Sequence, residues 1–167
     1  LATLPAPSAM STSMSVPASQ TSFTAGSTIH VEVWVQTSHA NGLSSASLDV
    51  SFDPSLATAV AITHSSVFST LTHAVINNGS GTVDDLSGSH LGPCSDAIAL
   101  APNWARLAII EMTANADGPL TLQSLSSGSP VYGTAVCAIG DVDPAQISYG
   151  TAAVQIGDVP IPAMSAW

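Results

Sequence analysis

Asp141 and Asp143 stand one residue apart between Gly140 and Pro144, in a segment composed for a turn, and Asp84-Asp85 forms a second acidic pair. Carboxylates gathered in loops suit a hard cation, and calcium takes roughly six to eight oxygen ligands from such segments. The spacing does not match an EF-hand, so Asp141 and Asp143 read either as calcium ligands or as solvated turn acids. No other cofactor is suggested. The histidines His30, His39, His64, His73 and His90 show neither HExxH nor HxH spacing and do not read as a metal set. No GxSxG elbow accompanies the many serines. With one cationic side chain, oxyanion or phosphate stabilisation would rest on backbone donors. The expectation is a protein that is not an enzyme, with no catalytic and no cofactor-binding residue to name.

Cys94 and Cys137 are the only cysteines. Lacking CxxC and CxxCH spacing, they do not form the usual zinc or c-haem patterns, which leaves a disulfide or two buried free thiols. In a secreted chain the disulfide is the expected state, and closing a loop of this length contributes roughly 3–4 kcal/mol. Asn78-Gly79-Ser80 is a glycosylation sequon in an expected turn, and Ser and Thr abound throughout.

These residues lie in an unusual background. The chain has 11 acidic residues against a single Lys or Arg (Arg106), a formal net charge of −10, and only 7% charged residues. An ordinary soluble domain carries about 25%. Hydrophobic residues reach 46% and the mean hydropathy is +0.40. A surface so poor in charge needs cover from a partner, from copies of itself or from glycans. The charge balance argues against nucleic acid, which is bound through clusters of Lys and Arg, and equally against anionic membrane surfaces. Apolar residues come in short bursts, so no membrane span is expected. Leu1 is no start methionine, and the chain reads as a mature, secreted product placed outside the cell or on its surface.

The elements that must position these residues read as strands. Ile29, Val31, Val33 and Val35 alternate with His30, Glu32, Trp34 and Gln36, the period of a half-buried antiparallel strand. Asn41-Gly42 signals a turn. Leu48, Val50 and Phe52 point inward on the next strand, which Asp53-Pro54 ends. A β-leaning run covers 57–63, and 67–76 holds another strand or one helical turn. Residues 84–103 are irregular. The run 104–114, apolar on both faces, reads as a central, doubly covered strand. Further strands are expected at 120–125, 131–139 and 146–156. Many short strands and no credible long helix indicate an all-β protein, an antiparallel β-sandwich of jelly-roll type. Three segments follow: an extended arm over 1–22, in which Pro5, Pro7 and Pro17 forbid helix, the sandwich over 23–157, and an apolar tail over 158–167.

The order of these signals resembles a cohesin module, the β-sandwich of bacterial extracellular scaffolds. The pieces that carry the resemblance are Thr24-Ala25-Gly26-Ser27-Thr28, Gly42 to Leu48, Leu48-Asp49-Val50-Ser51-Phe52-Asp53-Pro54-Ser55-Leu56, Arg106 to Ala114, and Ala152-Ala153-Val154-Gln155-Ile156. The third is most telling, since it looks like the family's hydrophobic-Asp-Pro-x-Leu passage. The resemblance implies protein–protein binding outside the cell, with a dockerin-like protein as partner. Related sandwiches bind polysaccharide. The chain departs from the family pattern in its near-absence of charge, its long N-terminal arm and its apolar tail.

That tail sets the leading functional expectation. Val159, Ile161, Met164 and Trp167 make it apolar, and it lies beyond the last family strand. An arm of this kind docks on a neighbouring copy by strand addition or groove packing and builds a ring or filament. Trp34, on the outward face of its strand, is a further candidate for an assembly interface or for stacking on a sugar ring, while cover by a loop or the N-terminal arm is the preferred reading. The leading reading is therefore a structural subunit that self-assembles through its arms into a filament, sheath or surface layer. The alternative is a binding module that captures a dockerin-like partner or a polysaccharide.

Overall fold

The computed structural model describes residues 9–20, 22–129 and 131–157. Its strands are β1 (Met10–Ser15), β2 (Thr28–Thr37), β3 (Leu43–Ser51), β4 (Ala57–His64), β5 (Thr70–Asn77) and β6 (Thr82–Ser89). They are followed by β7 (Ala105–Ala114), β8 (Gly118–Leu125), β9 (Ala135–Val136), β10 (Gly140–Asp141), β11 (Ile147–Ser148) and β12 (Thr151–Ile156). Two sheets pack face to face. The first runs β11-β1-β2-β7-β4 and the second β10-β9-β3-β6-β5. β8 pairs with the far half of β3 at Asp49–Ser51 and carries β12 on its other edge. This is the all-β antiparallel sandwich that the alternation requires.

The alternation shows why. Ile29, Val31, Val33 and Val35 are fully buried, while the residues between them are half exposed. Leu48 and Val50 of β3, Leu86 of β6, Ile110 and Met112 of β7, and Leu120 and Leu122 of β8 close the core from both sheets. Since the side-chain period of a strand is two, a one-residue slip would turn each of these sets to water. Asn41-Gly42 makes the expected turn. Gly42 has φ +71, and a Cβ there would lie 2.4 Å from the Ala97 carbonyl carbon, so only glycine fits.

Four readings change. Residues 84–89, expected to be irregular, form most of β6. Residues 10–15, expected within an extended arm leading into the first strand, form β1. Met10 and Met14 enter the core, and β1 pairs antiparallel with β2 and parallel with β11. Its serines and threonine face outward or into polar contacts, as when Thr12 Oγ1 meets Ser124 Oγ at 2.6 Å. The run 104–114 is central, between β2 and β4, but covered on one face only: Ile109, Glu111 and Thr113 remain half exposed. Finally, the expected strands at 131–139 and 146–156 shrink to two-residue pieces plus β12, because Gly133, Gly140, Pro144 and Gly150 interrupt the ladder. The tail 158–167 lies outside the described residues.

Asn78 has a structural part to play. Its carboxamide Nδ2 donates to the Ala59 carbonyl at 2.9 Å and its Oδ1 accepts from the Ala59 N–H at 2.9 Å. The turn between β5 and β6, in the second sheet, is thereby fastened to β4 of the first, at the point where the β4–β7 register slips. Asn78→Ala is expected to lower unfolding free energy by about 1–2 kcal/mol, read from urea denaturation, with Asn78→Asp recovering only the accepting half.

Candidate functional site

The outward face of the second sheet departs most from an ordinary polar surface. Exposed on it are Leu71 (77%) and Val75 (47%) of β5 and Leu125 (38%) of β8, and beside them Val131 (76%). Around these stand the serines of β3 and β6 and a set of carboxylates. Asp49 Oδ1 accepts the Asp85 N–H at 2.8 Å, and Asp84 lies beside them on β6. The only Lys or Arg of the chain, Arg106, is on the other sheet, so this face has no cation.

A strap formed by residues 126–129 and 131–134 crosses the face. Tyr132 stacks on His73 with ring centroids 4.3 Å apart and planes within 9°. The Ser45 hydroxyl donates to the Gly133 carbonyl at 2.9 Å, and the Ser47 N–H donates to Thr134 Oγ1 at 3.0 Å. The Ser127 hydroxyl donates to Asp85 Oδ1 at 2.6 Å. Under the strap lie Ser47 and Ser87, register partners on β3 and β6, buried with hydroxyls that have no hydrogen-bond partner. Tyr132 separates a cleft of about 440 Å³, bounded by Leu71, Ser89, Val131 and Asp141, from a smaller one of about 180 Å³.

Leu71 is held at φ +47. A left-handed backbone is uncommon for residues other than glycine and costs an L-residue roughly 1–2 kcal/mol. A side chain three-quarters exposed gains little from burial to offset that cost. Strain of this kind persists mainly at functional positions.

Burial pushes the Asp49 carboxyl up from its ordinary value; the Asp85 N–H opposes this, and the charges of Asp84 and Asp85 add to it. A carboxyl whose folded pKa is raised binds its proton more tightly folded than unfolded, so its contribution to stability is present below the unfolded pKa and lost as pH rises through the folded one. Asp49→Asn keeps the Oδ1 acceptor and removes the charge. It is expected to raise the melting temperature at pH 7, with the gain vanishing below about pH 3.8. Asp53 has the opposite sign, since the Ser55 hydroxyl and N–H hold its carboxyl below the usual range.

The other sequence candidates fall as follows. Cys94 and Cys137 are joined, with Cα atoms 5.4 Å apart. Asp141 borders the large cleft, whereas Asp143 Oδ1 accepts the Ala145 N–H at 2.9 Å and so caps a turn. Among the described residues no three His, Cys, Asp or Glu side chains converge as a metal-binding group. Trp34 does face outward from the first sheet, between Ser13 and Arg106 in register. Val159, Ile161, Met164 and Trp167 lie outside the described residues. Sequence reasoning missed Leu71, Val131 and Tyr132. The last two sit in a Ser/Gly-rich stretch, where an aliphatic next to an aromatic was the available signal.

A family model described as Cohesin domain matches residues 12–136. Among solved structures, the third cohesin ScaC of Acetivibrio cellulolyticus in complex with the ScaB dockerin is similar at 15% identity and TM-score 0.58, covering 85% of this chain and 96% of that one. The Coh-OlpC–Doc435 complex of Clostridium thermocellum is similar at 8% identity and TM-score 0.62, covering 93% and 99%. A non-cellulosomal cohesin from the archaeon Archaeoglobus fulgidus is similar at 14% identity and TM-score 0.58, covering 89% and 92%. No curated protein matches the chain.

Proposed function

The chain belongs to the cohesin domain family, and on that premise we propose that it is a non-catalytic binding module that captures a dockerin-like protein on the outer face of the β8-β3-β6-β5 sheet. The observation that carries this is Leu71, exposed and backbone-strained among Val75, Leu125 and Val131 on one face. Apolar anchors within a polar rim are the composition of a protein-binding patch. The carboxylates of Asp49, Asp84, Asp85 and Asp141 set the partner's chemistry: a surface with apolar side chains and Lys or Arg around them.

The covalent loop supports an extracellular or cell-surface setting, since disulfides persist in oxidising compartments. No helix among the described residues is long and apolar enough to cross a membrane. Self-assembly through the arms rests on composition alone: the low overall charge favours it, and the tail residues that would lock copies lie outside the described residues. The family comparisons favour partner capture over a filament.

Isothermal titration against purified dockerin modules tests the reading. Saturable one-to-one binding that weakens as salt rises from 50 to 500 mM is expected, because the acidic face contributes through screened charge. Absence of binding across the dockerins, with light scattering showing ordered polymers of the chain alone, would replace it with the structural-subunit reading.

A further inference from the structure

We propose that the opposite face, on the first sheet, is a second binding site, one that takes a neutral polysaccharide on a platform made by Trp34 and Trp104. Trp34 projects outward from β2, and Trp104, 41% exposed, stands immediately before β7. Both indoles border two adjoining depressions. One, of about 300 Å³, is completed by Ser13; the other, of about 430 Å³, includes Ser65, Ser66 and Arg106. Because the two depressions share the indole pair, an occupant that fills both crosses it, which suits a chain more than a compact ligand.

The polar groups beside the indoles define the occupant. Arg106 Nη1 donates to Glu32 Oε1 at 2.6 Å, and its Cζ lies 5.8 Å from the Trp34 ring centroid. The pair is electrically compensated, so the platform has no net charge to attract a polyanion, and the chain's −10 repels one. The polar groups within reach are the guanidinium N–H groups, the carboxylate and the hydroxyls of Ser13, Ser65 and Ser66, set beside an aliphatic wall of Val67, Ile98, Ala99 and Ala105. A pyranose ring offers a C–H face to an indole and hydroxyls at its edge, so apolar and polar halves both find their match. A protein partner would call for exposed aliphatic anchors; Val67, Ile98 and Ala105 beside the indoles are partly buried against the core and Ala99 is buried, whereas Leu71, Leu125 and Val131 stand exposed on or beside the other sheet. The two sites use opposite faces of the sandwich, so failure of this one leaves the dockerin reading standing.

Retention of the full chain on insoluble neutral polysaccharides (cellulose, chitin, xylan and starch), with polygalacturonate as the anionic comparison, is the test. Soluble hexasaccharides of the retaining polymer are then titrated by tryptophan fluorescence in a Trp167→Phe background, which leaves Trp34 and Trp104 as reporters. Retention by at least one neutral polymer is expected, with a saturable fluorescence change. Trp104→Ala should weaken binding roughly tenfold, and Trp34→Tyr should weaken it less, with melting temperatures close to the parent. Binding that survives Trp104→Ala unchanged, retention on polygalacturonate alone, or a fluorescence change that tracks protein concentration without sugar would overturn the proposal. The last result would assign the platform to contact between copies.

Discussion

Leu71→Asn is expected to make the protein more stable and a poorer binder at once. Asn tolerates a left-handed backbone better than Leu, so the φ of +47 becomes less costly and unfolding free energy rises by roughly 0.5–1 kcal/mol. Little apolar burial is lost, since the leucine is 77% exposed. Capture of a dockerin-like partner should weaken by about tenfold or more, because a central apolar anchor commonly contributes above 1–2 kcal/mol. Adding Val131→Asp introduces a charge where the partner must desolvate and brings the loss to roughly a hundredfold, if the two positions act independently. Paired measurements of melting temperature and affinity read the opposite signs directly. A Leu71→Asn protein that is destabilised, or that binds as well as the parent, would show that the strained leucine serves the fold.

Removal of the disulfide has the largest expected effect on stability. The Cys94–Cys137 bridge closes a loop of 43 residues in sequence separation. Replacing both cysteines with serine should lower unfolding free energy by roughly 3–4 kcal/mol, a large share of the 5–15 kcal/mol typical of a domain. Hydrogen bonds already hold the segment at other points: Leu43 N–H to the Ile98 carbonyl, Thr37 N–H to the Ala99 carbonyl, and Cys137 N–H to the Gly42 carbonyl. The double variant should therefore still fold, with hydrogen exchange rising first around residues 90–104 and 135–139. Dithiothreitol should shift the parent's urea midpoint to that of the variant. An unshifted midpoint would mean that the bridge adds nothing the hydrogen bonds do not already supply.

Much of the fold was legible in the sequence because burial on one side of a strand writes a period of two. β2 and β3 show this plainly, and the Asn41-Gly42 turn and the Asp53-Pro54 stop follow from local backbone chemistry. β1 was not legible. Met10 and Met14 are its core residues, and they stand among Ser and Thr with prolines on either side, a composition that reads as an arm until β2 supplies the partner. The strap was hidden for a related reason. It belongs to no strand, and its position depends on contacts such as Tyr132 with His73, far apart in sequence and invisible to any periodicity. Trp34 was read correctly as outward because its neighbours Val33 and Val35 fix the phase of β2. Asn78 read as a sequon, yet its carboxamide is taken up by Ala59, which the sequence places in a different strand. Charge counting was silent about which face binds.

Hydrogen exchange of the full chain, alone and saturated with a dockerin module that binds it, tests the central claim most directly. Partner capture on the β8-β3-β6-β5 face predicts protection confined to residues 45–51, 71–77, 84–89, 121–125 and 131–134, with the first sheet around Trp34 and Arg106 unchanged. Protection on β1, β2 and β7, with residues 71–77 and 131–134 exchanging as in the free protein, would contradict it.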